Sequence, residues 1–134
     1  MDMTKCQALK ADLEQQAWPQ RVPIARYFDG NDELGSIGCN LEPHPGISKF
    51  KNTLEGLLGR PGIEGVWAQI SEPDPGEDSW PFADTVVVAG SIGVSDLHKL
   101  VKKLRPDEVA EASNFSISPA FANLSSPLLV IWWD

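Results

Sequence analysis

The apolar and polar positions of this chain follow two different periods. Cys6, Leu9, Leu13 and Ala17 recur at helical spacing behind Thr4-Lys-Cys-Gln7, which has the spacing of a capping box. This predicts a first helix that closes at Trp18-Pro19, because proline cannot continue it. Val22–Phe28 and Leu34–Leu41 read as strands on either side of the turn signal Asp29-Gly30-Asn31-Asp32, which predicts an antiparallel hairpin. Ile47, Phe50, Leu54, Leu57 and Leu58 form one apolar stripe, a second helix stopped by Gly59 and Arg60-Pro61-Gly62. Ile63–Ser71 alternates as a half-buried strand, and Asp84–Ile92 carries Val86, Val87 and Val88, a β-branched run suited to the middle of a sheet. A third helix starts at Ser95 with Asp96 in its first turn, turns Leu97, Leu100, Val101 and Leu104 inward, and stops at Pro106. Asp107–Ala122 has no clean period and reads as mostly irregular, and Leu128–Asp134 reads as a terminal strand.

The expected order is therefore α-β-β-α-β-β-α-β. Hairpins without a steady strand–helix alternation predict an α+β fold, an antiparallel or mixed sheet of about five strands with three helices mainly on one face. At 134 residues with 42% hydrophobic composition, residues 1–134 are expected to form a single domain that needs neither disulfide nor metal. No apolar run approaches the length of a membrane span, and the first residues lack the layout of a signal peptide, so a cytoplasmic protein is expected. Cys6 and Cys39 are too far apart for a zinc or redox pair; two free buried thiols are the expected state, with a disulfide left open.

Nineteen acids against eleven bases give a net charge of −8. Such a chain repels nucleic acid and anionic lipid, which are recognised by Lys and Arg replacing counterions. A basic protein is the better-matched partner, although acidity also serves solubility alone.

The densest charge lies in Glu72-Pro-Asp-Pro-Gly-Glu-Asp-Ser-Trp-Pro-Phe82. Proline removes donors and clustered carboxylates must stay in water, so this segment reads as an exposed, stiff loop. Glu72, Asp74, Glu77 and Asp78 are its candidate partner-binding charges, with Trp80 as an aromatic anchor at its base. Catalytic chemistry has one alternative candidate, a small hydrolase or transferase in which Cys39 is activated by His44 with Glu42 nearby. A nucleophilic thiol there needs a lowered pKa, and the helix starting after Gly46 is the available source. The ordinary reading is a buried strand cysteine beside a loop histidine, and no enzyme activity, cofactor or metal is expected.

Asp29–Glu33 offers oxygens, but the sixth position of a calcium loop counted from Asp29 is Leu34 and the twelfth is Asn40, so that pattern fails. Gly35–Gly38 and Gly90–Gly93 lack the spacing of phosphate-binding loops and read as turns. In the terminal Trp132-Trp133 pair, one ring is expected in the core and the other on the opposite face of its strand.

The pieces Phe28–Asn40, Trp80–Val86, Pro106–Val109 and Trp132–Asp134 are similar to those of a group of small uncharacterised bacterial proteins, a likeness that carries no activity. In size, acidity and helix–strand layout the chain also resembles immunity proteins, which neutralise toxins delivered between bacteria. That resemblance implies a cytoplasmic inhibitor that occludes a basic partner, a toxin or a nucleic-acid-acting enzyme. It transfers no residue roles, and it leaves the oligomeric state open.

Overall fold

The structure, a computed structural model, describes all residues from Met1 to Asp134. Alternation of Val66, Ala68 and Ile70 with Trp67 and Gln69 produces β2 (Ile63–Glu72). The valine run produces β3 (Phe82–Gly90), whose residues from Thr85 onward are all buried. Together with β1 (Arg21–Pro23), β4 (Glu108–Glu111) and β5 (Leu128–Trp132) they form one five-stranded sheet in the order β1-β2-β3-β5-β4. Every neighbouring pair is antiparallel, with Trp67 opposite Val87 and Val87 opposite Val130 in the central register.

One face of the sheet is covered by α1 (Met3–Leu13), α2 (Ile24–Phe28), α3 (Ile47–Gly56) and α4 (Val94–Val101). Their inward residues, among them Leu9, Tyr27, Phe50, Leu54, Leu97 and Val101, join Val66, Ile70, Val86, Val88 and Ile131 in a main core of 24 buried side chains. The opposite face carries a smaller cluster of Val87, Ala112, Phe121 and Val130, roofed by the segment between β4 and β5. Gln69 ties that roof down from the sheet: its amide donates to the Ser116 carbonyl and accepts from Ser118 N–H, both at 2.9 Å. The terminal tryptophans divide as strand geometry requires. Trp133 is buried, donating its indole N–H to the Leu104 carbonyl, while Trp132 is half-buried against the second cluster.

The expected hairpin does not form. Ile24, Tyr27 and Phe28 stand at i, i+3 and i+4, and all three are buried on one side of the short helix α2. A strand would send Tyr27 and Phe28 to opposite faces, so the helical spacing decides the outcome. Leu34–Ser36 is a 3-10 turn with Leu34 exposed, and only Ile37 reaches the sheet, through a single bridge to Ala83. Tyr27 fixes this region, its hydroxyl lying 2.8 Å from the carbonyl oxygens of both Ser36 and Pro81. Burial pushes the Tyr27 phenol far above its ordinary range.

The first and third helices have different starts from those expected. Asp2, not Thr4, caps α1 by accepting the Lys5 amide, and Gly93 precedes α4. The segment expected to be irregular contributes β4 and two 3-10 turns. At the end of β3, Gly90 adopts a φ of 146°, and a Cβ there would stand 2.2 Å from the Gly62 carbonyl oxygen. The close approach lets Ser91 N–H bond the same oxygen at 2.9 Å, which fastens the turn before α4.

β1 is an edge strand whose outer side is already occupied. Gln16 accepts from Arg21 N–H and donates to the Arg21 carbonyl, each at 3.0 Å, so its side-chain amide pairs with the strand as a backbone amide would.

Candidate functional site

The acidic segment connects β2 to β3, beyond the Glu72–Phe82 pair that ends their ladder. Glu72, Asp74, Glu77 and Asp78 are all exposed, as the sequence predicted for a loop that must keep its charge in water. The loop is held in one shape by contacts that reach across the chain. Lys10, in the last turn of α1, donates to the Gly76 carbonyl at 2.6 Å and pairs with Asp74 at 3.1 Å. The Cys6 thiol, one turn earlier on the same helix, donates to the Ser79 carbonyl. Within the loop, Ser79 N–H bonds the Gly76 carbonyl and Asp74 N–H bonds the Glu72 carboxylate. Glu33 accepts Trp80 N–H at its exit.

The electrostatics of the loop are one-sided. The four ion pairs of the molecule join the N-terminus to Asp32, Lys5 to Asp29, Lys10 to Asp74 and Arg26 to Asp12. Glu72, Glu77 and Asp78 have no cation against them. Residues 72–90 contain five carboxylates and no lysine or arginine, and Lys10 is the one cation that forms an ion pair with any of them. Burial raises the Cys6 thiol above its ordinary range, which leaves it as a structural donor rather than a nucleophile.

Trp80 is not at the surface. Its side chain has no accessible area and lies in the main core with Tyr27, Ile37 and Phe50. A ring without accessible surface cannot anchor a partner, and the expectation for Trp80 is corrected accordingly. The segment after Ser79 turns inward because Trp80, Pro81 and Ala83 supply apolar surface at the start of β3, and this outweighs the acidity just before them. The indole N–H of Trp80 is buried without an acceptor.

Cys39 and His44 differ in their surroundings from the arrangement expected of them. Cys39 is exposed in the loop after the Ile37 bridge, not buried in a strand as expected, and both cysteines are free. His44 turns both ring nitrogens to the backbone: Nε2 lies 2.8 Å from the Ile37 carbonyl, and Nδ1 accepts Gly46 N–H at 2.9 Å. That pattern assigns the ring proton to Nε2 and leaves no nitrogen free to take one from sulfur. The ring also packs against Phe50 at 5.3 Å, the geometry of a histidine that shapes the entry to α3. Glu42 is exposed, and its backbone carbonyl accepts from Arg105. No group of three or more His, Cys, Asp or Glu side chains is arranged to hold a metal, and no helix is long and apolar enough to cross a membrane.

The clamping residues Lys10, Cys6 and Glu33 were invisible to sequence reasoning, since the partners of Lys10 lie 64 and 66 positions away. The one local signal was the half-apolar face of α1, on which Cys6 and Lys10 are an i, i+4 pair. Compared with known proteins, residues 4–126 match the model of the family described as uncharacterized protein YfbO. No curated protein and no solved structure matches the chain.

Proposed function

For a chain that belongs to the YfbO family, with the clamped acidic loop as its most distinctive surface, we propose a binding function directed at a basic protein partner. In this reading the chain is an inhibitor of the immunity or antitoxin kind, acting in the cytoplasm, and the β2–β3 loop occludes a basic groove by occupying it. No chemistry by the inhibitor itself is required. The observation that carries the reading is the fixed presentation of Glu72, Glu77 and Asp78, exposed and free of cations, on a loop that Lys10 holds from behind. A loop already ordered before binding loses less conformational entropy in the complex, and focused charge accelerates encounter with an oppositely charged groove. The engagement of both His44 nitrogens by backbone also favours binding over thiol catalysis.

The test begins with the product of the adjacent gene, which is expected to be basic, toxic when expressed alone and recovered with the tagged chain. Replacing Glu72, Glu77 and Asp78 by Gln, Gln and Asn keeps the Lys10–Asp74 clamp while removing the free charge. That triple variant is expected to slow association steeply and flatten its salt dependence. Neutralising the exposed Glu14, Asp96, Glu108 and Glu111 instead is expected to do much less, because steering fades beyond a Debye length of roughly 8 Å. A harmless neighbour that does not co-purify, or equal kinetic effects from the two sets, overturns the proposal.

A further inference from the structure

Arg21 occupies an unusual position on the face of the sheet opposite the helices. Its guanidinium carbon lies 4.6 Å from the centroid of the Phe121 ring and 5.0 Å from that of Trp67. The two rings stand at 81° to one another, 5.2 Å apart, so the cation fits the corner they make. Gly65 contributes to this arrangement, because a Cβ there would fall 2.3 Å from the Trp67 ring. Aromatic stacking engages the flat faces of a guanidinium and leaves its in-plane N–H groups to find acceptors. Here they have not been supplied with an anion. In a chain with 19 carboxylates, Arg21 enters none of the four ion pairs, and its Nη1 is buried with no acceptor.

Beside this cation is a cavity of about 580 Å³, within the range of roughly 300–1,000 Å³ usual for small-molecule sites. Its walls include Gln16, Arg21, Pro23, Trp67, Ser118 and Pro119. Ser118 is 3% exposed, and its hydroxyl accepts Ala120 N–H while its own proton is uncommitted. The cavity therefore combines one fixed planar cation, one spare hydroxyl donor and walls of indole and proline. Two glutamines fix the lining residues: Gln69 accepts from Ser118 N–H, and Gln16 pairs with the Arg21 backbone.

We propose that this cavity is a binding site for a small monocarboxylate with a flat apolar body. The carboxylate accepts from the guanidinium edge that Arg21 presents to the cavity, with the Ser118 hydroxyl as a further donor, and the apolar body lies between Trp67 and the prolines. A single cation in a molecule of net charge −8 matches one negative charge, and repels a dianion such as phosphate more strongly. The site is independent of the acidic loop and of the partner-binding reading.

Benzoate is the probe, titrated into the ¹⁵N-labelled full chain and followed by the Trp67 indole and Ser118 amide resonances. Saturable shifts at these two groups are expected. Benzamide, the neutral isostere, is expected to bind at least about ten-fold more weakly, the discrimination of a charge-assisted bond. Arg21→Lys keeps the charge but loses the fork and is expected to weaken benzoate by a similar factor, its fold checked by its spectrum without ligand. Equal binding of benzamide and benzoate to the native chain overturns the proposal without recourse to any variant, as does inorganic phosphate binding as tightly as benzoate. Shifts that stay linear to 50 mM benzoate (about the weakest binding worth the name of a site) overturn it too.

Discussion

Replacing Lys10 by methionine separates the two ways in which α1 holds the acidic loop. Methionine keeps the apolar stem of the side chain and removes the ammonium. The ammonium donates at 2.6 Å to a backbone carbonyl, and the lysine side chain is only 15% exposed. A charged hydrogen bond of this kind contributes about 1.5–3 kcal/mol. The same ammonium pairs with Asp74, but that carboxylate is 73% exposed, so solvent screening limits the pair to about 0–1 kcal/mol. Lys10 also lies in the last turn of α1, where a cation gains about 0.3–1 kcal/mol from the helix dipole. The expected loss in Lys10→Met is therefore about 2–5 kcal/mol, against less than about 1 kcal/mol in Asp74→Asn. Urea denaturation followed by tryptophan fluorescence reads both, the larger change moving the midpoint by roughly 1–2 M. Hydrogen exchange localises the effect: Ser79 N–H, bonded to the Gly76 carbonyl, is expected to lose protection in Lys10→Met and to keep it in Asp74→Asn. Equal costs for the two variants would show that the ion pair, not the carbonyl bond, fastens the loop. Unchanged protection at Ser79 in Lys10→Met would refute the clamp altogether.

Trp80→Ala is expected to cost about 3–5 kcal/mol in the same melts, as a large ring removed from a closed core. Trp80→Phe is expected to cost much less, because it also removes an indole N–H that has no acceptor; a stable Trp80→Ala variant would place the ring outside the core. A thiol reagent at neutral pH is expected to modify Cys39 promptly and Cys6 only on unfolding, and simultaneous reaction of both would contradict the buried, raised thiol at Cys6. Tyr27→Phe is expected to lose about 1–3 kcal/mol at neutral pH by removing the single phenol proton that the Ser36 and Pro81 carbonyls share. The folded phenol titrates above the unfolded one, so its contribution is complete below about pH 10 and declines as pH rises past that value. A native chain whose stability is level from pH 9 to 11.5, or a Tyr27→Phe variant with the same alkaline decline, would refute that assignment.

How much of this was legible in the sequence depended on whether one face of a segment decided its burial. The valine run of β3 formed as read, and so did the stripe Ile47, Phe50, Leu54 and Leu57, although Leu58, read into the same stripe, is exposed. Val22–Phe28 has two solutions. Its apolar content suits a strand, but Ile24, Tyr27 and Phe28 share a face only in a helix, and the chain follows the shared face. β4 was hidden because Glu108 and Glu111 are polar; its pairing comes from Trp132 and Leu129 on β5, a partner that no local window contains. The acidic loop was legible because its four carboxylates exclude burial. Trp80 was misjudged because charge in the preceding residues says nothing about where the next side chain points. The Lys10 clamp and the Arg21 corner are long-range arrangements, set by how α1 and the roof meet the sheet.

The amide of Gln16 has a consequence for growth of the sheet. The outward-facing backbone groups of β1 are those of Arg21 and Pro23, since Val22 faces inward to Ala68. Gln16 has taken both groups of Arg21, and proline has no N–H to offer, so the Pro23 carbonyl alone is left for a strand arriving from outside. The chain thus carries its own terminating piece at that border, one side chain long. The sheet's other border is β4, where no such side chain is at hand and the exposed charges of Glu108 and Glu111 discourage pairing with a second copy of the same acidic molecule.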